Sequence, residues 1–227
     1  VVVVGSLLLG AEGASATRLC SAKPEEKGGV LSCPMANRYG TEIKPEQTLS
    51  ATQATNVTFE SIEGPTGTVT CKASTFVAAL KSDGTSEAGN GITSWSFEGG
   101  KECASTVTGT TGAAITVENL SYDATKAIYE GLGAPQGRLM VAKASGALQI
   151  KMVFNAKFTC IYQLPGIGSE LNGDYENSKE GNPSKLKFTS QKFKLTTGGM
   201  SCPMTIRLTG TYNIKGFGNI DVYIAKE

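Results

Sequence analysis

The chain of 227 residues sets 21 Lys and Arg against 20 Asp and Glu, for a net charge of +1, and contains no histidine. Charges so balanced and so scattered lack the electrostatic footprint of a nucleic-acid or anionic-membrane partner. The missing imidazole excludes Ser-His and Cys-His nucleophile pairs, His-based acid catalysis and the commonest metal ligand.

The first element is the apolar run "VVVVGSLLL", Val1 to Leu9. It is short of the ~20 residues that cross a bilayer, but it suits the apolar middle of an export signal, and Ala14-Ser15-Ala16 behind it fits signal-peptidase cleavage. Residues 1–16 are therefore read as a truncated signal peptide, and 17–227 as one β-sandwich-like domain. A buried Val/Leu strand is the alternative. No integral membrane span is expected in the mature chain.

Six cysteines follow: Cys20, Cys33, Cys71, Cys103, Cys160 and Cys202. No two stand at the close C-x-x-C spacing of a metal site, so no metal or other cofactor is expected. An even number in an exported chain points to three disulfides. Six cysteines allow about 15 pairings; the sequential one, Cys20–Cys33, Cys71–Cys103 and Cys160–Cys202, is the expectation.

Short strand candidates come next at 48–51, 56–61, 68–76, 92–97, 105–108 and 115–120. Turn signals such as Gly64-Pro65, Gly89-Asn90-Gly91 and Gly99-Gly100 separate most of them. Trp95, the single tryptophan, shares a strand face with Phe97, which assigns it to the core. "DATKAIYEG", from Asp123 to Gly131, has a capping Asp, helical apolar spacing and a stop glycine, so it predicts one short helix at most.

The clearest alternation is "QIKMVFNAKFTCIY". Ile150, Met152, Phe154, Ala156, Phe158, Cys160 and Tyr162 share one face, with a mostly polar face behind. In "SKLKFTSQKFKLTT" the phase slips between Leu186/Phe188 and Phe193/Leu195. A bulge near Ser190-Gln191 restores the inward face, and so does a break into two strands. Met204, Ile206, Leu208, Tyr212 and Ile214 alternate again, and Ile220, Val222 and Ile224 close the chain. "SCPM" occurs at Ser32–Met35 and at Ser201–Met204, where Pro after Cys marks a strand beginning or edge in both places. The predicted fold is all-β, an antiparallel two-sheet sandwich.

Chemistry-bearing groups are few. Ser184 and Lys187 fit S-x-x-K, but they sit in a strand-like stretch without the companion motifs. Glu60, Glu63, Asp174, Glu176 and Glu180 are the carboxylates that a polysaccharide hydrolase would draw on. The acidic stretch around Asp174, Tyr175 and Glu176 reads as an exposed contact loop, without the residue order of a calcium site. Phe217 in "KGFGN" is the other exposed-aromatic candidate. Asn56 and Asn119 stand in N-x-[ST] sequons.

The stretches "RLCSAKPEEKGGVLSCPMANRYGTEI", "GPTGTVTCKAS", "ITSWSFEGGKEC", "KFTCIYQ" and "MSCPMTIRLTGTYNI" give the chain a layout that resembles uncharacterised exported proteins of soil-dwelling, actinobacterial-type Gram-positive bacteria. The resemblance implies a secreted, disulfide-bonded β protein and assigns no residue roles. The function expected is a non-enzymatic extracellular or cell-surface protein, structural or binding, with cell-envelope glycan or protein as its contact. A secreted carboxylate-dependent hydrolase is the alternative, and an inhibitor or small-ligand carrier built around an apolar cavity is a third.

Overall fold

The computed structural model describes residues 17–34, 43, 47–80, 88–166, 170–179 and 182–226, the stretch 88–90 by its backbone alone. The expected export segment and Glu180 lie outside the described residues. Three short strands come first: β1 (Thr17–Cys20), β2 (Glu25–Lys27) and β3 (Val30–Ser32).

Six runs of chain then follow, each broken once near its middle. They are β4 (Thr48–Gln53) with β5 (Val57–Glu63), β6 (Thr68–Cys71) with β7 (Ser74–Leu80), and β8 (Ala88–Phe97) with β9 (Glu102–Ser105). The other three are β10 (Gly112–Glu118) with β11 (Tyr122–Tyr129), β12 (Gly137–Val141) with β13 (Gln149–Phe154), and β14 (Phe158–Gln163) with β15 (Leu171–Glu176). Two long strands, β16 (Ser184–Thr197) and β17 (Thr205–Gly216), complete the sheet before the short β18 (Tyr223–Lys226).

Each run pairs antiparallel with the next along both of its halves: β5 with β6 and β4 with β7, then β6 with β9 and β7 with β8, and so on to β16 with β17. β17 finally pairs with β4 through Tyr212–Gly216 and with β5 through Thr205–Thr209, so the sheet closes into a barrel. Six broken runs plus two long strands make an eight-staved up-and-down barrel. The all-antiparallel expectation holds, and the two layers of the expected sandwich are opposite walls of one continuous sheet.

The breaks fall at one level and form a waist. Backbone hydrogen bonds carry the ladder across it: Ala54 N donates to Thr211 O, Glu98 N to Ala73 O, and Leu164 N to Leu148 O. In β16 the waist is a bulge at Ser190, with φ +52° and a register shift between Phe188 and Gln191. The phase slip in the sequence is thus a bulge within one strand, and Leu186, Phe188 and Phe193 all point inward. Turns 64–67, 106–111, 155–157 and 198–204 form the top end, and 130–136 with 177–179 and 182–183 belong to the bottom.

Two expectations fail for physical reasons. Residues 123–131 are no helix: Tyr122–Tyr129 is a strand with Tyr122, Thr125 and Ala127 turned into the core, because barrel neighbours on both sides take its backbone groups. The long alternation at 149–162 is a hairpin that turns at Asn155 and Ala156, both at positive φ. Phe154 faces Phe158 and Met152 faces Cys160, so residues of like parity share a face on both arms and the rhythm runs unbroken through the turn.

The walls follow the pleat. Along β17, Ile206, Leu208, Tyr212 and Ile214 are buried, while Arg207, Thr209, Thr211, Asn213 and Lys215 face outward. Apolar inside and polar outside is the reverse of a lipid-facing barrel. Three disulfides crosslink the structure: Cys20–Cys33, Cys71–Cys103 and Cys160–Cys202. For loops of 13, 32 and 42 residues, chain entropy alone assigns them about 3, 4 and 4 kcal/mol.

Candidate functional site

A barrel of eight strands has an interior just wide enough for side chains to fill, or to hold one small ligand. Both conditions occur here, one on either side of the waist. The top half buries the large side chains of Phe59, Ile150, Met152, Phe154, Tyr162 and Phe193, all 1% exposed or less. The waist itself is an aromatic plug. Trp95 lies 5.5 Å from Phe76, 5.8 Å from Phe97 and 5.9 Å from Phe188 between ring centroids, and Tyr212 stands 5.1 Å from Phe76.

Three polar atoms are buried inside that plug and satisfy one another. Ser74 Oγ and Tyr212 Oη are 2.9 Å apart, and Trp95 Nε1 donates to both at 3.3 and 3.2 Å. Burial, the dominant effect, raises the Tyr212 phenol to about 12, against the lowering effect of its bonds to Ser74 and Trp95. Trp95 is 6% exposed, as its shared face with Phe97 requires.

Below the waist lies a small apolar cavity of ≈ 20 Å³. Leu49, Phe76, Ala78, Ala127, Leu139, Tyr175, Leu186 and Ile214 line it from seven of the staves, and Leu19 of β1 enters from below. Ser50 of β4 also borders the cavity, and both hydroxyls are used: Tyr175 Oη donates to Val222 O at 2.9 Å and Ser50 Oγ to Lys215 O at 3.4 Å. Desolvation pushes that phenol well above its ordinary value.

A lid closes this half. β1 and β18 form a two-stranded sheet outside the barrel ladder, in which Leu19 faces Ile224. Asn177 clamps Ile224 twice, its Nδ2 donating to Ile224 O at 2.9 Å and its Oδ1 accepting from Ile224 N at 2.7 Å. Tyr129 N donates to Thr17 Oγ1, and Ile43 N donates to Leu19 O. The β2–β3 hairpin packs outside the lid, where Leu31 N donates to Tyr129 Oη and Cys33 ties back to Cys20.

Most residues singled out from the sequence do not converge. Asp174, Tyr175 and Glu176 are not a contact loop but the end of β15: Asp174 is exposed, Glu176 half-buried, and Tyr175 turns into the barrel at 4% exposure. The alternation Leu171, Gly173, Tyr175 sets that direction, and polar neighbours in the sequence conceal it. Glu60 pairs with Arg207 at 3.6 Å, and Glu63 accepts from Thr205 Oγ1 at 2.9 Å, both on β5, the stave beside β17. The carboxylates thus belong to two staves, β5 and β15, with β16 and β17 between them. Ser184 is buried; its Oγ accepts from Ser178 N and donates to Val222 O, so it acts as a tie and not a nucleophile. Phe217 is 74% exposed at the bottom rim, as the sequence suggests. Each "SCPM" carries a disulfide anchor, Cys33 just after β3 and Cys202 in the turn before β17.

An apolar cavity is what the small-ligand-carrier alternative calls for, whereas the lid has no local signature, because β1 and β18 meet from opposite ends of the sequence. The one signal is the closing pair Val222/Ile224, which has no partner within its own neighbourhood. Among the described residues no group of three Cys, Asp or Glu is placed to hold a metal ion, and no helix is long and apolar enough to cross a membrane. No family model, curated protein or solved structure matches this chain.

Proposed function

We propose that the chain is an exported, non-enzymatic protein of the extracellular space or cell surface, a durable frame that acts by contact. The observation that carries this reading is the closed barrel, crosslinked by three disulfides, with its carboxylates spread over separate outer staves. Disulfides persist in oxidising compartments, and a small extracellular frame gains stability from them without further machinery. Contact then falls to the wet walls and the end turns, where Phe217, Ile220, Met200 and Met204 are exposed. The resemblance to exported actinobacterial-type proteins points the same way.

A binding screen against cell-envelope glycans and cell-wall preparations, run on the oxidised protein, tests the proposal. Saturable binding without turnover is the expected result. Turnover of any polymer in that screen, or free thiols on all six cysteines of protein taken from its native source, overturns it.

A further inference from the structure

We propose that the bottom half of the barrel is a binding chamber for a small, uncharged hydrocarbon-like molecule, and that Leu19 is the stopper filling its mouth in the closed form. The two halves of the barrel differ in a way that packing alone does not require. Above the waist the buried side chains are large: Phe59, Ile150, Met152, Phe154, Tyr162 and Phe193. Below, alanines at 78 and 127 stand on the walls, and space remains even with Leu19 inserted.

The chemistry of that space selects its occupant. With Leu19 in place the cavity, ≈ 20 Å³, has room for about one water, which needs two to four polar partners; a hydrocarbon the size of benzene enters only when Leu19 swings out and adds its own volume to this apolar space. The only phenol on the wall, Tyr175, already spends its proton on Val222 O. Ser50 also borders the space, but it holds an exposed position on β4 with its Oγ donating to Lys215 O, so a charged or hydrogen-bonding ligand would lose its hydration with little to replace it.

The mouth is built to open without being lost. Leu19 rides on a four-residue strand that, among the described residues, ladders with β18, itself outside the barrel, and accepts one further backbone bond, from Ile43 N. Hydrogen bonds, not a continuous sheet, fasten this pair to the rim, through Thr17 and the double clamp of Asn177 on Ile224. The Cys20–Cys33 bond tethers the strand if those bonds part. At the same end of the barrel, Phe217 and Ile220 lie exposed just beyond β17 and offer an apolar landing.

The inference rests on the binding-module reading for its biological use, but its test is separate. Benzene and toluene are titrated into the oxidised, full-length protein and followed by Trp95 emission, since Trp95 touches Phe76 on the chamber wall. Wild type binds saturably. Leu19→Ala removes three carbons from the mouth and tightens binding by about tenfold or more. Ala127→Val fills the chamber and weakens binding by about tenfold while circular dichroism stays unchanged; Ala78→Val replaces it if that variant fails to fold. Absence of saturable binding by both wild type and Leu19→Ala overturns the proposal, as does Ala127→Val binding like wild type. Either failure leaves the contact-frame reading intact, because the glycan and cell-wall screen does not use this chamber.

Discussion

Two tyrosines inside the same barrel make a matched experiment. Tyr212 and Tyr162 are both fully buried, but Tyr212 Oη is bonded to Ser74 and Trp95, whereas Tyr162 Oη has no partner among the described residues. Tyr212→Phe removes two hydrogen bonds worth roughly 0.5–1.5 kcal/mol each, so it costs about 1–3 kcal/mol. For a chain of this size that is a fall in Tm of about 3–10 °C. Tyr162→Phe removes a hydroxyl whose burial is uncompensated, so it is neutral or stabilising by about 1 kcal/mol. The assay is urea unfolding of the oxidised variants, followed by Trp95 emission and by far-UV circular dichroism, whose coincidence also tests two-state behaviour. If the deletion at 162 costs as much as the one at 212, the polar accounting of this core is wrong.

Further outcomes follow from other parts of the molecule. Burial raises the phenol pKa of Tyr122, Tyr162, Tyr175 and Tyr212. The unfolded chain therefore releases those protons first as pH climbs past about 10. Stability is fully present below that pH and drops between it and about 12, which urea midpoints measured from pH 8 upward would reveal. Gly67→Ala puts a Cβ 2.4 Å from Val107 Cα at φ +139°; a loss of about 2 kcal/mol or more is expected in the same unfolding assay. Replacing Cys71 and Cys103 together by Ala costs about 4 kcal/mol by denaturation. Replacing Cys20 and Cys33 by Ser leaves the barrel's protected amides unchanged and speeds hydrogen exchange in residues 17–32 and 223–226, because that bond anchors only the lid.

How much of this was readable beforehand depends on range. Alternation reports which way a side chain faces, and it placed Ile150, Met152, Ile206, Leu208 and Trp95 correctly inside. It also located the slip near Ser190-Gln191, where parity changes, but left a bulge and a break into two strands equally open. It could not see the turn at Asn155-Ala156, where parity does not change and no glycine marks the bend. Helical spacing at 124–128 misled because Ala and Lys pack in either geometry, and the neighbouring staves chose the strand. Tyr175 misled because charged neighbours mask a residue whose own face is apolar. Closure of the sheet and the pairing of β1 with β18 join residues from opposite ends of the chain, and local pattern carries no trace of such contacts.

One seam has consequences for how the molecule is made. Every join between staves but one links neighbours across a short connection, so each stave can add to a growing meander as it is synthesised. The exception is the join of β17 to β4 and β5, where Ser50 meets Lys215 across 165 residues. Until that last zipper shuts, the nascent product is an open curl with two unpaired margins, each a template for a neighbouring copy. A chain stalled or clipped before Thr205 never escapes that condition, so full-length synthesis separates a sealed vessel from a sticky ribbon.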